Sequence, residues 1–169
     1  MDLLGKYYFY NHANEIVATT HYQELNRYIQ HGETTVLEHS ISVAYYSYKL
    51  GKSLKLKCDY RSLIRGALLH DFFLYDWHKK DKTRKPHGMY HPEVALKNAL
   101  KHFDLNHKER DIIANHMWPI SPKPPRYVES YLVWTVDKYC TIIETTSKFF
   151  KYKQKMPKTL FYNTINFDK

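Results

Sequence analysis

The chain has 169 residues, 43% of them hydrophobic and 16% aromatic, with five glycines and seven prolines; this suits one globular domain and excludes a disordered, repeat-built or low-complexity chain. The net charge of +9 suits a surface that attracts nucleic acid or a small phosphorylated substrate, or one that only aids solubility. Two distant cysteines, Cys58 and Cys140, exclude a thiolate zinc site, and the lack of any ~18-residue apolar run or signal peptide leads us to expect a cytoplasmic protein with no membrane partner.

Helical signals run through the chain. A first helix is predicted over Asn14 to Gln30, broken near Gly32. The segment "TVLE", Thr35 to Glu38, has the form of a capping box, and the helix it opens carries Leu37, Ile41, Ala44 and Tyr48 at helical spacing towards Gly51. A third helix is predicted over Tyr60 to Phe72. A fourth begins at "HPEVALKNALKHF", with His91 as N-cap and Pro92 at the first helical position. Asn106 caps a short fifth helix through Ile112, Ile113 and His116. The prolines of "WPISPKPPRY" exclude helix there, and a long last helix covers about Val128 to Thr146. The runs "KYYFY" and "TLFYNTI" carry no assignment. No segment alternates with period two, so the expected fold is an all-α, single-domain helical bundle.

Several ionisable residues fall on the apolar faces of these helices. His39 shares a stripe with Val43, Tyr46 and Leu50. His70 and Asp71 end the run "GALL", and Asp71 aligns with Ile64, Ala67 and Leu68. His116 lies one turn after Ile112 and Ile113, and Asp137 one turn after Val133. Any one of these reads most simply as a satisfied core histidine or a helix cap. Together, imidazoles and carboxylates on inward faces of different helices can converge on a metal, as bundle cores allow. Imidazole with carboxylate oxygen suits Fe, Mn, Zn or Mg.

The order His39, His70-Asp71, His91, His116, Asp137 resembles the HD-domain phosphohydrolase superfamily. The resemblance runs from about Thr34 to Glu144, through "LEHSISVAYYSYKLG", "LIRGALLHD" and "TVDKYCTIIE". It divides the chain into an N-terminal helical extension (1–33), the HD domain (34–147) and a basic C-terminal segment (148–169). It implies a divalent metal held by His39, His70, Asp71 and Asp137, and, as in binuclear members, a second ion at His91 and His116 with Asp71 shared. Asp71 and His70 are then the residues expected at the catalytic centre. The implied activity is a metal-dependent phosphohydrolase in which metal-activated water attacks a phosphate monoester or phosphoanhydride. The expected substrate is a nucleotide or dinucleoside polyphosphate.

Many members place a small residue and a lysine just after the His-Asp pair, the lysine often near the substrate phosphate. Here those positions read Phe72, Phe73 and Leu74. The phosphate-binding charge is therefore sought in Lys79, Lys80, Lys82 or Arg84, each equally readable as part of a solvated loop, and in Arg126, whose commoner role is a structural ion pair. His87 competes with His91 as a ligand. His78 and His107 read as surface residues, and Asp76 and Asp81 as loop caps or partners of nearby lysines. Trp77, Tyr90 and Trp118 read as core before they read as stacking platforms for a base. Two rival functions stand beside hydrolysis: a di-iron oxygenase of HD type, and a non-catalytic module that binds a nucleotide or nucleic acid. The oligomeric state is not legible in the sequence.

Overall fold

The computed structural model describes residues 1–79 and 86–150, the side chains of 147–150 excepted. In chain order the elements are α1 (Leu3–Val17), α2 (Thr20–Gln23), a 3-10 turn (Glu24–Arg27), β1 (Ile29–His31), β2 (Thr34–Thr35), α3 (Val36–Ser53), α4 (Tyr60–Leu69), α5 (His87–His102), α6 (His107–Asn115) and α7 (Val128–Phe150). The fold is all-α apart from one two-stranded hairpin. No helix among the described residues is long and apolar enough to cross a membrane.

The bundle is organised around α4. Every residue from Ser62 to Phe73 is buried, and α4 packs against α1, α3, α5, α6 and α7. A helix surrounded on all sides needs small residues where its neighbours come closest. At Gly66 a Cβ would stand 2.5 Å from Ile112 Cδ1 and 3.0 Å from Ile112 Cβ, so this glycine sets the approach of α6. Arg65, also buried, is paired at each guanidinium nitrogen: Glu109 accepts from its Nε at 2.7 Å, Glu15 from Nη1 at 2.9 Å and the Asp104 carbonyl from Nη2 at 3.0 Å. The helix starts are set locally. Asp59 accepts from the Ser62 amide at the head of α4, and Thr35–Glu38 and Asn106–Glu109 form reciprocal capping boxes on α3 and α6.

Two expectations are corrected. The first helix does not run from Asn14 to Gln30. It starts at Leu3, where Asp2 accepts from the Gly5 amide at 2.8 Å, and turns Phe9, Ala13 and Ile16 into the core. It stops at Val17, where the Thr19 hydroxyl donates to the Ile16 carbonyl. The apparent helical period beyond, Tyr22 and Leu25, belongs to a short helix and a 3-10 turn. Residues 29–35 form a hairpin closed at Gly32, whose φ of 63° favours glycine. In α5, His91 is not the cap. The helix opens one turn earlier at His87, so Pro92 is its sixth residue, and the lacking N–H costs one intrahelical bond. The run "KYYFY" lies within α1, while "TLFYNTI", Lys80, Lys82 and Arg84 lie outside the described residues.

Replacing Gly66 tests the packing directly. Gly66→Ala is expected to lower stability by about 1–3 kcal/mol, the usual cost of overpacking a tight interface, read from the urea midpoint of the far-UV circular dichroism signal.

Candidate metal centre

Six residues from five elements meet at one buried locus: His39 of α3, His70 and Asp71 at the end of α4, His91 of α5, His116 at the end of α6 and Asp137 of α7. None is more than 5% exposed. Asp71 stands between two histidine pairs. Its Oδ2 lies 3.3 Å from His70 Nε2 and 3.7 Å from His39 Nε2, and its Oδ1 lies 3.1 Å from His91 Nε2 and 3.5 Å from His116 Nε2. Asp137 Oδ1 closes the first group, 3.1 Å from His39 Nε2 and 3.7 Å from His70 Nε2. Ligands ~2.0–2.2 Å from a common ion stand ~3–4 Å from one another, and these separations fall in that range.

The tautomers follow from the outer partners. His70 Nδ1 donates to the Ala67 carbonyl at 2.7 Å, His91 Nδ1 to the His87 carbonyl at 2.9 Å and His116 Nδ1 to the Ile113 carbonyl at 2.9 Å. His39 Nδ1 donates to Glu144 at 2.9 Å. His70 and His116 are the C-cap residues of α4 and α6, so carbonyls that the last helical turn leaves unpaired orient both rings. With each Nδ1–H engaged, every Nε2 turns a lone pair towards carboxylate oxygen or another imidazole. His91 and His116 face each other Nε2 to Nε2 at 2.8 Å. His70 Nε2 and Asp71 Oδ1 are buried with no hydrogen-bond partner among the described residues. So many buried acceptors turned towards one another call for a shared positive charge, a metal ion or protons. Two groups of residues, His39–His70–Asp137 and His70–Asp71–His116, each bring three donor atoms within 4.8 Å of one another. The site fits a divalent metal by donor type and spacing.

Without a metal, protons stand in for that charge. Burial opposes a proton on His39, but Glu144 and Asp137 outweigh it and hold its pKa well above the ordinary value. His70, likewise buried, is pushed up to about 9 by Asp71 and Asp137. Burial would raise both carboxylates, yet His70 and the other ring nitrogens keep Asp71 well below the usual range, and His39 and His70 do so for Asp137. His116 is driven down to about 4, chiefly by burial, with His70 and His91 adding to the effect against the hydrogen bond to Asp71.

Three residues near the centre escaped the sequence reading. Glu144 lies seven residues, about two turns, beyond Asp137, a spacing that could have revealed it. Lys138 puts Nζ 2.7 Å from Asp137 Oδ2 and 3.2 Å from the His116 carbonyl. Gln30 Nε2 donates to Asp71 Oδ2 at 2.7 Å from the hairpin.

The phosphate-binding candidates fare differently. Lys79 is exposed and lies 3.9 Å from Asp76, and Lys80 and Arg84 fall outside the described residues. Arg126 is exposed, and it is its backbone amide that donates, to Asp111 at 3.0 Å. His87 does not join the six. Its Nδ1 meets the Tyr75 hydroxyl at 3.0 Å and its ring stacks on His91 and on Trp77. Trp77 is also stacked on His78, and Trp118 packs on Trp134, so neither indole is a bare platform for a base.

A family model for the HD domain matches residues 36–157, well over half of the chain. The chain belongs to the HD-domain family. HD domains bind divalent metals, and membership points to metal-dependent hydrolysis in general. Neither curated proteins nor solved structures yield a match. The HD-type signature and the buried cluster thus coincide, since His39, His70, Asp71, His91, His116 and Asp137 all fall within the matched segment.

Metal uptake is expected to release protons at pH 7, because His70, with a pKa raised to about 9, must give up the proton that the ion replaces. The affinity for Mn2+ should therefore rise about tenfold per pH unit per displaced proton and level off for His70 as the pH passes about 9, where that ring loses its proton. Calorimetric titration in buffers of different ionisation enthalpy reads the proton count.

Proposed function

We propose that this HD-domain protein is a phosphohydrolase that holds two divalent metals and cleaves a phosphate monoester or phosphoanhydride, with a nucleotide or dinucleoside polyphosphate as substrate. The observation that carries the reading is the division of Asp71 between two imidazole pairs, Oδ2 towards His39 and His70 and Oδ1 towards His91 and His116. In this assignment His39, His70, Asp137 and Asp71 hold one ion, and His91, His116 and Asp71 the other. Ions so held supply Lewis acidity towards phosphoryl oxygens and lower the pKa of water towards ~7. Fe, Mn, Zn and Mg all suit the donor set.

The protein's own contribution is placement and charge. The two ends of Asp71 keep the imidazole pairs at a fixed spacing, and the carbonyls behind them fix which nitrogen faces inward. Lys138, bonded to Asp137 Oδ2 and partly open to solvent, is assigned as the cation that meets a substrate phosphate, the part a lysine near His-Asp plays in many relatives. Phe72 and Phe73, which occupy that place here, are fully buried and build the core instead. Lys79 and Arg126, with the basic run through Lys80 and Arg84, would act at longer range by drawing an anionic substrate to a surface of net positive charge. The preference for a nucleotide rests on the order of histidines along the chain, which resembles that of binuclear members acting on such substrates.

The test is phosphate release from a panel of nucleoside phosphates and dinucleoside polyphosphates by the Mn2+- or Fe2+-loaded protein. Asp71→Ala and His70→Ala are expected to lower kcat at least ~100-fold, since even outer-sphere changes at such centres cost 10–100-fold. Lys138→Ala is expected to raise KM roughly tenfold with a smaller change in kcat. Oxygen consumption by the iron-loaded protein with no phosphate release would favour the oxygenase reading. Nucleic-acid binding unchanged in Asp71→Ala, with no turnover, would favour the binding module.

A further inference from the structure

Gln30 lies six residues before the segment that the HD-domain family model matches, which begins at residue 36. It is carried by β1 of the hairpin and is 5% exposed. Its Nε2 donates to Asp71 Oδ2 at 2.7 Å, while Oε1 of the same carboxamide is buried with no hydrogen-bond partner among the described residues. An unpaired buried acceptor costs about 1–3 kcal/mol, so most buried amides are paired at both ends. Here the donor end is committed to the carboxylate shared by both histidine pairs, and no described residue offers a hydrogen to the acceptor end.

We infer that Gln30 is a positioning residue of the metal centre, added to it from outside the HD domain: its amide N–H fixes the rotation of the Asp71 carboxylate, and its Oε1 accepts a hydrogen from water brought in with the metal. This rests on the metal-centre reading of the six residues. The hairpin supplies the constraint. Its turn at Gly32 and its pairing through Ile29–Thr35 and His31–Thr34 lead directly into the capping box that opens α3. The positions of Gln30 and of His39 on α3 are thereby tied together. A rotation of Asp71 about its χ2 would move Oδ2 off the first imidazole pair and Oδ1 off the second at once, so one hydrogen bond governs both halves of the centre.

The experiment is titration of the full-length metal-free protein with Co2+, followed by its visible d–d absorption. Gln30→Met keeps the side-chain length and removes both polar atoms. Ile29→Ala perturbs the exposed neighbour on the same strand and serves as the control for the hairpin itself. Gln30→Met is expected to bind Co2+ about 10–100-fold more weakly than the wild type and with an altered absorption envelope, while Ile29→Ala matches the wild type in both. Wild-type affinity and spectrum in Gln30→Met would overturn the inference, and so would an equal loss in Ile29→Ala. A wild-type protein that takes up no Co2+ would overturn the metal-centre reading as well, which separates the two failures.

Discussion

The structure turns on one buried carboxylate. Asp71 is 2% exposed and stands against four imidazoles and one amide, so its charge is settled by those partners and by whatever cation or proton they hold with it, not by solvent. An unpaired carboxylate at that depth would cost several kcal/mol. The surrounding helices can therefore be understood as the means of bringing five partners to it from α3, α4, α5, α6 and the hairpin. That demand explains why α4 is buried on all sides: a residue that must be reached from every direction sits best at the end of the central helix. It also explains Gly66, since α6 must approach closely for His116 to arrive at Asp71 Oδ1.

Outer hydrogen bonds make the cluster chemically directional. Four Nδ1–H groups are engaged by three backbone carbonyls and Glu144, which leaves four Nε2 atoms to point inward. Two of the rings use the free carbonyls of helix C-termini, a resource every helix end offers. The α6 end is held in turn by Asp111, which accepts from Asn115, Ser130 and the Arg126 backbone amide and so ties α6 to the start of α7. The proline-rich segment between them thus serves the geometry of His116 and Asp137, beyond any role in contacting substrate.

Much of this was legible in the sequence because helices advertise their inward faces. His39, Asp71, His116 and Asp137 could be placed by their alignment with Val43, Ile64, Ile112 and Val133, and the capping boxes at Thr35 and Asn106 located two helix starts. Gln30 was hidden because its segment mimics a helix continuing from Asn14, and a short hairpin has too few residues to show alternation. The start of α1 was hidden by "KYYFY", whose aromatic character suggests strand while Asp2 and the spacing of Phe9, Ala13 and Ile16 make it helix. The start of α5 was misplaced because Pro92 suits a first turn so well that a proline at the sixth position was not expected. Lys138 was overlooked since a lysine on a long helix is ordinarily solvated, and only the fold shows Asp137 and the His116 carbonyl beneath it.

The most direct measurement is the metal content of the protein purified at neutral pH, determined by inductively coupled plasma mass spectrometry alongside quantitative amino-acid analysis. About two divalent ions per chain, falling to one or fewer in Asp71→Ala, are expected of a carboxylate shared between two sites. A protein that retains no divalent metal and acquires none on titration with Mn2+, Fe2+ or Zn2+ would contradict it.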